Sequence, residues 1–340
     1  MGGNLMKSVL ILFGGNSAEH LVSCMSAKEI RENIDTDRFL VSMAGISKEN
    51  VWYEYNDDLS ILAKGEWLEA EKIVLIDNIV EYLKGFDVVF PIIHGCQGED
   101  GKLQGLFEMI GINYVGNGVL SSAVTFDKGY SKILCDYYDI PQTDYVVFHE
   151  REFNKNTSVL CEKRLGYPMI VKPANGGSSI GIGICKNKRE FNRCVKEALK
   201  FDSKIVVEEF VKASDIECGY LENNGLNLSI PGEIESVNLF YDYDAKYVMD
   251  SKIVIPSRRT DRIGKRVYDI AKRVIDIFDI RGIARIDFLY DEENDVLFFN
   301  EINTMPGFTS ISMYSKLWEA EGICYKELIT RLIETETNAK

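Results

Sequence analysis

The run SVLILFGG at residues 8–15 closes an apolar stretch with two glycines, and NSAEHLVSCMSAKEIRENI follows with helical spacing. A short apolar strand, a glycine turn and an amphipathic helix form the opening unit of an open parallel α/β sheet. VVFPIIHG at 88–95 is a second such strand, and GEDGKLQGLFEMIGI at 98–112 returns to helix. INYVGNG ends this Rossmann-like first unit near residue 117.

With 340 residues the chain is long enough for two or three domains. After residue 118 the helix DKGYSKILCDYYDI precedes YPMIVKPANGGSSIGIGICK, read as two strands joined by a polar glycine loop. KREFNRCVKEALKF is then a helix and KIVVEEFV a strand. Farther on, IECGYLE, ARIDFLY and VLFFNEIN read as strands, with helices at 262–278 and 321–335. The expected domains are 1–117, 118–209 and 210–340.

A formal net charge of −14, with no basic stripe, argues against nucleic acid or anionic lipid as partner. SRRTDRIGKR at 257–266 is the local exception, either a solvated turn and first helical turn or the border of an anionic ligand. No apolar run is long enough to cross a bilayer and no signal-peptide pattern opens the chain, so a cytoplasmic protein is expected. Eight cysteines without a CxxC pair, and three histidines, exclude a zinc ribbon and argue against a disulfide framework. Most of these thiols are expected to be small apolar fillers.

Charged residues inside apolar strands mark the candidate site. Gly176, Gly177, Ser178 and Ser179 form a loop suited to cradling phosphate oxygens, or a polar hairpin tip. Lys172 in MIVKP is a cation in an apolar strand, for which phosphate is the obvious anion, and Lys128 in FDKGYSK is a second candidate. Glu208 and Glu209 end a strand, with Asp215 and Glu217 shortly after; a carboxylate here accepts from an adenine amine or ribose, or is solvated. In RIDF, Arg285 and Asp287 share one strand face, as do Glu301 and Asn303 in FFNEIN. If the two strands are neighbours, three oxygen ligands suited to Mg²⁺ converge; the alternative is an arginine–carboxylate salt bridge across the sheet.

Taken in order, GGNSAEHLVS, HGCQGEDGKLQG, YVGNGVLSSAVTFDKGYSK, VKPANGGSSIGI, FYDYDAKY, ARIDF and NEINTMPGFTSISMY resemble the D-alanine–D-alanine ligases of the ATP-grasp superfamily, over about residues 8–335. The resemblance implies an ATP-grasp fold, α/β and α+β, with an N-terminal open parallel sheet and ATP held between two antiparallel sheets. It implies ligation of two D-alanines through an acyl phosphate, for peptidoglycan precursors.

Carried over by position, Glu19 would hold the ammonium of the first D-alanine in a trio with Ser178 and Tyr247. His94 and Glu99 would lie on the adjoining loop. Lys128 and Lys172 would contact ATP phosphates, Lys246 would reach the γ-phosphate and Ser179 would bind ATP; Glu208 and Asp215 would take adenine and ribose, with Glu209 and Val211 supplying backbone contacts. Arg285 and the Gly307 amide would stabilise the tetrahedral oxyanion. Asp287, Glu301 and Asn303 would bind two Mg²⁺ ions, or Mn²⁺ in their place. Ser312 and Met313 would meet the second D-alanine. The resemblance further implies a homodimer and raises activation by K⁺.

Three positions depart from the family pattern: Leu21 for a usual Glu, Asp215 for Glu, and Gly176 for Leu. SMYSKLW and Tyr247 favour D-alanine over D-serine or D-lactate as acceptor. A regulatory ATP-binding protein without turnover is the non-enzyme alternative, but the proposed metal ligands and oxyanion arginine are present.

Overall fold

The computed structural model describes residues 6–222, 226–235 and 252–338. Its first sheet contains β1 (Lys7–Gly14), β2 (Phe39–Ile46), β3 (Trp52–Tyr55), β4 (Ile73–Leu75), β5 (Val88–Pro91) and β6 (Asn113–Tyr114), in the order β4-β3-β2-β1-β5-β6. β1 is covered on both faces, with Val9, Ile11 and Phe13 in one core and Leu10 and Leu12 in another. Its run is therefore continuously apolar rather than alternating. β2, β1, β5 and β6 pair in parallel as expected, whereas β3 and β4 join antiparallel. The link from Ile46 to Trp52 is too short for a crossover, so a hairpin is the solution available.

The second sheet, β7 (Tyr145–His149), β8 (Met169–Pro173), β9 (Gly183–Cys185) and β10 (Lys204–Glu209), is antiparallel in the order β7-β10-β8-β9. The third contains β11 (Ser214–Glu222), β12 (Leu226–Leu228), β13 (Gly232–Glu235), β14 (Lys252–Val254), β15 (Ile283–Asp291) and β16 (Val296–Asn303). It runs β14-β13-β11-β15-β16, with β12 also on β11. Register places Arg285 opposite Asn303 and Asp287 opposite Glu301; Phe288 then faces Phe299, leaving Asn300 as a bulge. The bulge breaks period-two alternation, so Phe299 and Ile302 enter the core while Asn300 and Glu301 both line clefts.

The helix Thr260–Phe278 stands where expected, and the helix expected at 321–335 is Tyr325–Asn338, preceded by a further helix, Met313–Ala320, that the sequence reading did not include. Gly322, at φ +82°, supplies the left-handed residue between them. The basic run is occupied internally: Arg259 pairs with Glu233 and Glu292, while Arg262 and Arg266 pair with Asp295. Six of the eight cysteines are buried thiols, consistent with filler roles. Among the described residues, no helix is long and apolar enough to cross a membrane.

Met305, Phe308, Tyr314, Trp318 and Leu332 pack in one core with Phe13, Trp67 and Phe90 of the first unit. The second sheet keeps a separate core around Phe148, Phe191 and Val207. Phe308 is fully buried and its ring lies 5.7 Å from Phe90 and 5.4 Å from Tyr325. Phe308→Ala should therefore cost about 3–5 kcal/mol in a denaturant titration.

Candidate active site

Glu19 immediately precedes the helix His20–Asn33 and is nearly buried. The Ser178 hydroxyl donates to its Oε1, joining the first unit to the glycine–serine loop. A Cβ on either Gly95 or Gly177 would stand 2.6 Å from Glu19 Oε2, so both glycines are required for backbone to approach this carboxylate. Ser178 and Ser179 adopt φ +50° and +59°, an uncommon conformation for residues bearing a Cβ, as tolerated at functional loops. Gly176 differs: a Cβ there would meet Pro173 Cγ at 3.5 Å, so the departure from Leu leaves room rather than relieving a clash.

His94 and Glu99 converge on one peptide. His94 Nδ1 donates to the Met305 carbonyl at 3.0 Å, and Nε2 lies 3.2 Å from the Ser26 hydroxyl. Glu99 accepts from the Gly95 and Met305 amides at 2.9 and 3.1 Å. Both polar groups of Met305, two residues before Gly307, are thereby held from the first unit. Burial lowers the His94 pKa against the raising effect of Glu19, favouring neutral imidazole. Burial, reinforced by Glu19, pushes Glu99 up to about 8 against the amides that favour its ionised form.

Arg285 is bidentate to Asp287 at 2.8 and 2.7 Å and pairs with Glu217 at 2.8 Å. Burial opposes its charge, but Asp287 and Glu217 prevail and hold it protonated. The Asn303 amide donates to Asp287 at 2.9 Å. The salt bridge across the sheet is present, from Arg285 to Glu217, and the register sets Asp287 opposite Glu301 on the neighbouring strand.

Lys172 finds a protein anion rather than depending on phosphate alone: its Nζ lies 2.8 Å from Glu208 Oε1. Lys132, which sequence inspection missed, lies 3.2 Å from Glu208 Oε2, and Thr143 donates to that oxygen at 2.7 Å. Burial opposes ionisation of Glu208, but Lys132 and Lys172 overcome it and lower its pKa. Lys128 donates to the Gly176 carbonyl at 2.7 Å and lies 3.5 Å from Glu301. Glu209 accepts from the Asp144 amide at 2.9 Å.

Two clefts meet here. One is lined by Glu19, His94, Ser178, Arg285, Gly307, Ser312 and Met313, with Lys128 and Asn303. The other lies between the second and third sheets and is lined by Lys172, Ser179, Val211, Asp215 and Asp287. Glu217 and Glu301 line both. Met313 also packs with Ile234 and Leu317, so its thioether is part of a small core. Leu21 is exposed beside Gly65 and does not line the first cleft, which removes that departure from the site. Lys246 and Tyr247 lie outside the described residues.

A Rossmann-like unit followed by two antiparallel sheets across a charged cleft defines a ligase of the ATP-grasp class. The family model "D-ala D-ala ligase N-terminus" matches residues 8–117 and "D-ala D-ala ligase C-terminus" matches 134–334. The D-alanine–D-alanine ligase of Acetivibrio thermocellus is 42% identical over 96% of this chain and 95% of its own. That of Clostridium novyi is 42% identical over 97% and 98%. The crystal structure of the VanG D-Ala:D-Ser ligase from Enterococcus faecalis is 33% identical, with a TM-score of 0.87 over 97% of this chain and 99% of that one. The chain belongs to the D-alanine–D-alanine ligase family.

Glu99 carries a pH signature. Its folded pKa lies above the ordinary 4.5, so the folded state binds the proton more tightly than the unfolded chain. That contribution to stability is fully present below the ordinary value and is lost as pH rises through about 8. Melting temperature should fall more steeply between about pH 5 and pH 8 in the native protein than in Glu99→Gln. Equal slopes would show that Glu99 is not the titrating group.

Proposed function

We propose that this protein joins two D-alanines with conversion of ATP to ADP and phosphate. The observation that carries this reading is the junction of the two clefts at Arg285, Asp287, Glu301 and Asn303. A carboxylate bound in the first cleft and a phosphoryl group bound in the second meet only there.

Glu19, held by Ser178, receives the ammonium of the first D-alanine, with His94 beside it and Tyr247 as third member of the trio. Lys128, Lys172, Ser179 and Lys246 bind the ATP phosphates; Asp215 receives ribose and the backbone at Glu209 and Val211 meets adenine. The Glu208 carboxylate, buried and held by Lys132, Thr143 and Lys172, does not line the second cleft and anchors Lys172 instead of accepting from adenine. The first D-alanine carboxylate attacks the γ-phosphorus, giving an acyl phosphate and ADP. The amine of the second D-alanine, oriented by Ser312 and Met313, attacks that carbonyl. Arg285 and the Gly307 amide stabilise the oxyanion, and phosphate leaves. The attacking amine must be neutral, which places the activity optimum on the alkaline side.

The carboxylates of Asp287 and Glu301 stand opposite each other on adjacent strands where the two clefts meet, with Asn303 hydrogen-bonded to Asp287, a donor set of the kind that suits a hard cation. Asp287, Glu301 and Asn303 would hold Mg²⁺ there, as two ions or with Mn²⁺ as substitute, and the metal would supply neutralisation of phosphate charge. We further propose three domains divided near residues 117 and 209 and a cytoplasmic homodimer. The likeness to a D-Ala:D-Ser ligase favours D-serine as the second reading for the acceptor.

The reading predicts phosphate release from ATP that depends on D-alanine, and D-alanyl-D-alanine as main product from an equal mixture of D-alanine and D-serine. A mainly D-alanyl-D-serine product would transfer the assignment to the second reading. Glu301→Gln should fold and lose turnover, and full activity would refute the metal role. Arg285→Lys keeps the charge but not the fork, and should lower kcat by about 10²–10³.

A further inference from the structure

The helix Lys128–Tyr137 places two lysines one turn apart in the nucleotide region. Lys128 reaches the glycine–serine loop. Lys132 is buried, with its ammonium 3.1 Å from Thr143 Oγ1, 3.2 Å from Glu208 and over the Tyr145 ring at 5.2 Å. Glu208 thus carries two ammonium groups, Lys132 on Oε2 and Lys172 on Oε1, of which Lys172 lines the nucleotide cleft.

We propose that Lys132 is a positioning residue for nucleotide phosphate: by holding one oxygen of Glu208 it keeps that carboxylate divided between two ammonium groups, so Lys172 faces the cleft with positive charge to spare. Two cations and one anion leave the triad with one net positive charge. Without Lys132, Glu208 and Lys172 form a neutral pair and the phosphate half of the pocket loses that charge. Without Glu208 as well, Lys172 alone restores it. The inference rests on the nucleotide half of the proposed function and identifies a residue acting through Glu208.

The test is calorimetric binding to the full chain without D-alanine, using ATP, adenosine and Mg²⁺ tripolyphosphate as probes. Lys132→Met should weaken ATP and tripolyphosphate about tenfold while adenosine stays within about twofold, the loss expected from one partly screened charge. Lys132→Arg should restore tripolyphosphate binding, as should adding Glu208→Gln to Lys132→Met. In turnover, Lys132→Met should raise the KM for ATP with kcat at saturation within about threefold of native. Equal weakening of adenosine and tripolyphosphate, or no recovery in the double variant, overturns the proposal.

Removing one member of a buried ion pair is often far more damaging than removing both. If Lys132→Met does not fold, the double variant is compared with Glu208→Gln alone, and the proposal requires the double variant to bind tripolyphosphate more weakly. A native chain that binds no ATP overturns the nucleotide reading and this inference with it.

Discussion

The antiparallel pairing of β15 with β16, interrupted once at Asn300, decides where the charged groups of the site stand. Strict alternation along FFNEIN would place Phe299, Glu301 and Asn303 on one face, which would submerge the carboxylates or expose the phenylalanine. The bulge separates them: Phe299 stays in the core beside Phe278 and Phe288, while Glu301 faces Asp287 at the meeting of two clefts. One extra residue reconciles a dry sheet interior with an acidic cleft wall.

Around that wall, buried charge is held by opposed charge. Arg285 lies between Glu217 and Asp287, and Glu208 lies between Lys132 and Lys172. Such clusters are poor sources of net stability, since desolvation offsets much of the attraction. They do confine side chains to one geometry, which is what a reaction between two bound substrates needs. The neighbouring clusters have opposite net sign, the first acidic and the second basic, suited to a cation and to phosphate respectively.

Much of this was legible in the sequence where a charged residue interrupts an apolar strand, as at Lys172, Arg285, Asp287 and Glu301. The glycine-closed strand at 8–15 and the segment order likewise announced the sheets. Other parts left no such trace. Lys132 occupies a helix in which Lys128 has the same local appearance, and only tertiary packing shows which ammonium is buried. The clamp on Met305 engages backbone groups, to which residue identity is indifferent. The bulge at Asn300 follows from the register of the partner strand. The helix Met313–Ala320 went unread because its segment, SMYSKLW, reads as part of the substrate motif.

The distribution of cores gives the molecule a mechanical asymmetry. Phe90 and Phe308 share one core, and His94 and Glu99 grip Met305, so the first unit and the segment from Met305 to Phe308 pack together. The second sheet has its own core, and its glycine–serine loop meets the first unit through the polar contact of Ser178 with Glu19. Polar contacts exchange readily for water, whereas separating a shared apolar core does not. Exchanging the Ser178–Glu19 contact for water therefore costs less than separating Phe90 from Phe308, so the firmer seam lies under the cleft and the weaker one over it.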